Sequence, residues 1–173
     1  MLKLIPMNRL STNLEDYLEI IGNLLDGGRR ARISDIARLM GVSRPSVTQI
    51  VGKLTEIGLV THEPYGDVRL TEKGREIAKT IALRHGLFNE FLCDILGVPS
   101  GIADKEACLL EHAIGPETTA RFAAFVHFVD AENKKPEWLR MFHRYLKDGI
   151  LPDACIRCQK LRELEDFEDR KDV

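Results

Sequence analysis

Apolar positions near the start of the chain recur at helical spacing. In NLEDYLEIIGNLL, Leu14, Leu18, Ile21 and Leu25 stand three or four residues apart, which predicts an amphipathic helix with one inward stripe. Thr12-Asn13-Leu14-Glu15 matches the T-x-x-E capping box in front of it, and Gly27-Gly28 predicts its end. The next segment, RISDIARLMGVSRPSVTQIVGKLTEIGLV, spans residues 32–60. Ile36, Ala37 and Met40 predict a short helix, and Gly41 a tight turn. Ser43 predicts the N-cap of a second helix, with Pro45 in the first turn, where a missing N–H does little harm. Val47, Ile50, Val51 and Leu54 predict its inward face. Two short helices around a glycine turn make a helix-turn-helix pattern.

After Gly58 the pattern changes. The β-prone runs LVTH and DVRL flank Glu63-Pro64-Tyr65-Gly66, which predicts a hairpin. A hairpin directly after the second helix is a wing. Thr71 predicts the cap of a long helix reaching about Leu96, with residues 97–101 as a connection. EACLLEHAI predicts a shorter helix. Pro116 opens another, apolar at Phe122, Phe125, Val126 and Val129. Pro136 opens one more over EWLRMFHRYLK, and the last segment carries CIRC in a highly charged helix. The expected fold class is mainly α. A winged helix-turn-helix domain (1–74) precedes an all-helical domain (75–145) and a helical C-terminal extension with a CxxC (146–173).

Composition changes this picture little. A hydrophobic fraction of 44% and a charged fraction of 30% fit a globular, soluble chain of 173 residues. MLKLIPM is too short for a signal-peptide core, and no apolar run approaches the roughly 18 residues that span a bilayer. The expectation is a cytoplasmic protein without membrane contact. Cys93, Cys108, Cys155 and Cys158 are then reduced thiols or metal ligands.

Charge changes it more. The net charge is −2, yet residues 29–53 hold six basic side chains (Arg29, Arg30, Arg32, Arg38, Arg44, Lys53) against Asp35 alone, a local net of +5. The acid is concentrated in the C-terminal half. Such asymmetry suits a face that meets an anion. In a helix-turn-helix the second helix enters the major groove with its N-terminal residues toward base edges. Here these are Ser43, Arg44, Pro45, Ser46, Thr48 and Gln49; Arg suits guanine and Gln adenine. Lys53, Arg32, Arg38 and the neighbouring arginines suit phosphates, giving salt-dependent affinity. One recognition helix reads a short site, so a homodimer on palindromic double-stranded DNA is expected.

A second chemistry lies elsewhere. Each helical residue advances about 100°, so Cys108, Glu111 and His112 edge one face. Asp16 and Glu19, at i and i+3, border the buried stripe of the first helix, and His85 stands among Ile81, Leu87 and Phe88. Together they offer three carboxylates, two imidazoles and a thiol. Carboxylates and imidazoles suit divalent iron or manganese, and the thiol shifts preference toward iron, cobalt or zinc. An ordinary helix face with a buried thiol, a surface carboxylate and a core-edge imidazole would use the same residue types.

The chain resembles the diphtheria-toxin-repressor and manganese-transport-regulator family of metal-dependent transcriptional repressors. The resemblance runs from about residue 10 to 130, through NLEDYLEII, SDIARLMGVSRPSVTQIVGKLTEIGLV, LTEKGREIA, RHGLFNEFLCDILGV and EACLLEHAI. It implies that Asp16, Glu19, His85, Cys108, Glu111 and His112 are metal ligands. In the family, position 108 is Glu in manganese regulators and Cys in iron-type repressors; position 16 is Asp in the former and Met in the diphtheria-type proteins. This chain combines Asp16 with Cys108, a hybrid. Asp104 and Asn89 replace a His and a Glu of the diphtheria-type second site, and 173 residues leave no expected room for that branch's SH3-like domain.

The resemblance further implies a homodimeric repressor of metal-uptake genes activated by Fe2+ or Mn2+, with Co2+, Zn2+ or Ni2+ able to bind in vitro. It makes the 1–74 domain DNA-binding and the 75–145 domain metal-binding and dimerising. An enzyme is not expected, because the sequence shows no added domain to build a substrate pocket around the metal. An alternative is a redox- or small-molecule-responsive winged-helix repressor that senses through cysteines. Cys155 and Cys158 are two plain thiols, half of a structural zinc site with His143 nearby, or a redox element. Cys93 reads as core packing, and His62 and His127 as ordinary surface or core-edge histidines.

Overall fold

The computed structural model describes residues 10–63, 66–131 and 136–149. Pro64 and Tyr65 of the hairpin tip, and Cys155 and Cys158, lie outside them. Seven α-helices and one two-stranded sheet are present among the described residues. Helices α1 (Thr12–Asp26), α2 (Ile33–Met40) and α3 (Arg44–Glu56) lead into strands β1 (Val60–His62) and β2 (Val68–Leu70). The strands are antiparallel, with Val60 opposite Leu70 and His62 opposite Val68. Ala31 adds a single bridge to Val68, its carbonyl accepting the Val68 N–H at 2.8 Å.

The local signals explain these elements. Gly41 ends α2 in the left-handed region at φ +67°, a conformation that costs a residue without Cβ nothing. The Ser43 hydroxyl accepts from the Ser46 N–H and caps α3, with Pro45 in the first turn. Thr71 caps α4 (Glu72–Glu90) by accepting from the Gly74 N–H at 3.0 Å. The start of α1 differs from the capping-box expectation. Ser11 is the N-cap, no side chain caps it, and Thr12 is already helical. Glu15 is instead buried and turned toward another helix.

Tyr17, Leu18, Ile21 and Leu24 of α1 pack with Ile36, Val47, Val51, Leu54, Val60 and Val68 in the first core. Ala78 and Ile81 of α4 belong to the same core. Ile50, expected inside, is only partly buried. The long helix does not continue to Leu96 as one α-helix, since Phe91–Ile95 form a π-helical turn. Beyond it lie α5 (Ser100–Ala113), α6 (Pro116–Asp130) and α7 (Glu137–Asp148). Helix α5 starts six residues before the expected EACLLEHAI, after Pro99. Phe88 and Leu92 pack with Ala103 and Ala107 of α5 in a second core. Phe122 meets Phe88 and Phe91 edge-on, at 5.5 and 4.8 Å between ring centroids. A third cluster joins Ile95, Val126, Val129 and Leu139, whereas Phe125 is largely exposed.

Helix α4 therefore runs from the first core into the second. Gly22 of α1 allows a close approach to it: a Cβ there would lie 3.2 Å from that of Ala78. This packing brings the N-terminal half of α1 beside the C-terminal half of α4 and the end of α5.

Candidate metal centre and nucleic-acid interface

Six side chains from these three helices converge in two groups. Asp16, Cys108 and His112 form one, and Glu19, His85 and Glu111 the other; within each, one donor atom per residue lies within 4.8 Å of the others. All six residues singled out by the sequence are brought together. Glu111 stands between the groups. Its Oε1 is 3.2 Å from His112 Nε2, and its Oε2 is 3.2 Å from His85 Nδ1. Asp16 Oδ1 lies 2.9 Å from His112 Nε2, and Glu19 Oε1 lies 3.9 Å from His85 Nδ1.

Both imidazoles are held from outside. Glu15 Oε2 sits 2.8 Å from His112 Nδ1. With Glu15 as the acceptor, the Nδ1-protonated tautomer turns the Nε2 lone pair into the cluster, toward Asp16 and Glu111. Asp104 Oδ1 sits 3.2 Å from His85 Nε2, and Nδ1 faces inward toward Glu111. An outer carboxylate that fixes the ring and its tautomer is the usual companion of a metal-bound histidine. Sequence reasoning read Glu15 only as a capping residue and Asp104 only as a departure from a second site. The signal for Glu15 was its place one turn before Leu18 and Glu19, a carboxylate on a face that turns inward.

The cluster gathers like charges in a buried place. Both Glu111 carboxylate oxygens, His85 Nδ1 and His112 Nε2 are buried and make no hydrogen bond, with close contacts to one another and to Asp16 and Glu19. Burial first, and then the nearby Glu19, Asp16 and Glu15, push the Glu111 carboxyl up to about 8 against the pull of Arg84. Burial, together with Glu111, Asp16, Glu19 and Asp104, raises the Cys108 thiol to about 11. Glu19 is raised by burial and by Asp16, against the pull of His85. Three carboxylates, two imidazoles and a thiol fit a divalent cation, which would satisfy them together.

The other sequence-selected cysteines and histidines take ordinary places. Cys93 is part-buried beside the second core, its Sγ 3.5 Å from Asn89 Oδ1. His143 is hydrogen-bonded through Nε2 to the Ile95 carbonyl at 3.0 Å. His62 is half-buried and His127 exposed.

At the opposite end of the first core, α3 presents its outer face. Ser43, Arg44, Pro45, Ser46, Thr48, Gln49 and Lys53 are all exposed. The Ser43 and Ser46 hydroxyls share a 2.8 Å hydrogen bond, and Thr48 donates to the Arg44 carbonyl. The basic stretch is less bare than its sequence count. Arg30 pairs with Asp67 at 2.7 Å, Arg32 with Asp67 at 3.6 Å, and Arg38 with Asp35 at 2.9 Å, yet all three arginines stay more than half exposed. Arg30 and Arg32 flank Ala31, so they border the wing.

Comparison with known proteins places both regions in one family. Residues 9–68 match the iron dependent repressor N-terminal DNA binding domain. Residues 71–138 match the iron dependent repressor metal binding and dimerisation domain. An uncharacterised HTH-type transcriptional regulator of Methanocaldococcus jannaschii is 37% identical over 118 residues, covering 68% of this chain and 94% of that protein. The transcriptional regulator MntR of Salmonella typhimurium is 35% identical over 121 residues, covering 69% of this chain and 76% of MntR. The manganese regulator SloR superposes with a TM-score of 0.60 at 31% identity, covering 69% of this chain. A manganese-dependent transcriptional repressor in complex with manganese gives 0.59 at 32%, covering 66%. The chain spans 55% and 53% of those two structures. It belongs to the diphtheria-toxin-repressor and manganese-transport-regulator family of metal-dependent transcriptional repressors.

Proposed function

We propose that this chain is a homodimeric repressor that binds palindromic operator DNA when Fe2+ or Mn2+ fills the cluster between α1, α4 and α5. The observation that carries the reading is the convergence of four buried atoms of Glu111, His85 and His112 that make no hydrogen bond and face one another. Asp16, Cys108 and His112 would hold one ion and Glu19, His85 and Glu111 another, with Glu111 Oε1 turned toward His112 and Oε2 toward His85. Bound there, a divalent ion supplies the positive charge that lets these donors lie together.

The protein's own residues then do the coupling. Asp16 and Glu19 ride on α1, whose inner face packs on α3 and the wing. His85 rides on α4, and Cys108, Glu111 and His112 on α5. Drawing the carboxylates of α1 onto α4 and α5 fixes the DNA-reading end against the dimerisation helices. In a dimer that sets two recognition helices about one DNA turn apart, ~34 Å. Arg44 and Gln49 are placed to read base edges; Lys53, Arg32 and the neighbouring arginines are placed to meet phosphates.

The regulated genes are those of metal uptake, and the setting is the cytoplasm. No helix of the described residues is long and apolar enough to cross a membrane. Operator selection followed by anisotropy titration with and without Fe2+ or Mn2+ tests the reading. Tight binding only with metal supports it. Equal affinity in both conditions, together with a response to oxidant lost in Cys155→Ser, would instead establish the thiol-sensing alternative.

A further inference from the structure

The two donor groups differ by one atom type. Asp16, Cys108 and His112 offer oxygen, sulfur and nitrogen; Glu19, His85 and Glu111 offer oxygen, nitrogen and oxygen. Thiolate sulfur is soft and favours Fe2+, Co2+ or Zn2+ over Mn2+, while a seat of carboxylates and imidazole also suits Mn2+. The imidazole of the sulfur seat is backed by the buried Glu15 and that of the oxygen seat by the exposed Asp104. Exposure of the donors themselves does not favour a hard ion at the oxygen seat, where Glu111 is buried, so the choice rests on the sulfur.

We propose that the two seats select different metals: a thiophilic divalent ion at Asp16–Cys108–His112 and a hard one at Glu19–His85–Glu111. This rests on the metal-responsive reading above and extends it to a mixed pair. Glu111 makes the choice joint, because its two oxygens face the two seats separately. Pulling Oε1 toward one ion fixes where Oε2 waits for the other. The chain would then respond to two metals together, rather than to the more abundant of them.

The test uses the full chain carrying Cys155→Ser and Cys158→Ser, so that Cys93 and Cys108 are the remaining thiols. Metal-free protein receives one equivalent each of Co2+ and Mn2+ and is desalted. Metal content and the near-ultraviolet sulfur-to-cobalt charge-transfer band are then measured. The expected result is one Co2+ and one Mn2+ retained per chain, with the band as intense as with Co2+ alone. Cys108→Ser should lose the band and keep the Mn2+. Cys108→Glu, which restores a charged donor, should retain two ions of either kind with no band and no preference.

Loss of Mn2+ as Co2+ binds overturns the selectivity, as does a band that keeps growing to the second Co2+ equivalent. Either result leaves the metal-responsive reading intact. A chain that retains neither ion removes both.

Discussion

The core under the recognition helix and the seam between α1 and α4–α5 are built on opposite terms. Leu18, Ile21, Ile36, Val47, Leu54 and Val68 are fully buried and apolar, and they ask nothing of solvent or ligand. At the seam, Glu111 is nearly as buried, at 2% exposed, yet its two oxygens make no hydrogen bond and meet imidazole nitrogens at 3.2 Å. Each such buried polar atom costs about 1–3 kcal/mol. The first region is complete with the chain alone. The second, on the proposed reading, is completed by a cation, and helix α1 belongs to both.

Substitutions confined to one region should separate them. The largest effect is expected from Gly74→Ala, which attacks the apolar side. A Cβ there would lie 1.9 Å from the Leu59 carbonyl oxygen, so the wing and α4 must part. Chemical denaturation should show a loss of about 3 kcal/mol with or without metal.

Glu111→Ala attacks the seam. The metal-induced gain in stability should vanish, about 2.7 kcal/mol at a hundredfold excess of ion over its Kd. The metal-free melting temperature should hold or rise, because a buried carboxyl has gone. Thermal melts with and without Mn2+ check both halves of that statement.

Glu15→Gln should be milder. It can still approach His112, yet it lacks the charge that fixes the ring, so metal affinity should fall about 10- to 100-fold. Calorimetric titration measures the affinity, and the imidazole 15N shifts of His112 report the tautomer. Unchanged shifts would show that Glu15 is structural only. The smallest effect is expected from Ser43→Ala, which removes the α3 cap at about 1 kcal/mol and leaves metal affinity alone.

The difference between the two regions also decided what could be read in advance. The helices and wing of the first core announce themselves in runs of a few residues, through Gly41, Ser43 and Thr71 and the spacing of Val47, Val51 and Leu54. The six cluster residues were found by combining motifs from three segments with a family resemblance. Glu15 escaped because its partner His112 is remote in sequence, while a local role as a capping residue was at hand. Asp104 escaped because it was compared with the residue it replaces rather than with the ring beside it. The π turn of Phe91–Ile95 has no glycine or proline to mark it. What holds it is packing against α5 and α6, which no local pattern encodes.

The contact between Glu15 and His112 joins positions 97 residues apart. In an unfolded chain, closing such a loop costs about 4 kcal/mol of entropy beyond a constant term. The two cores meet that cost by bringing α1, α4 and α5 together. A cluster assembled in this way is a property of the whole fold, and loss of packing in either core should scatter its donors.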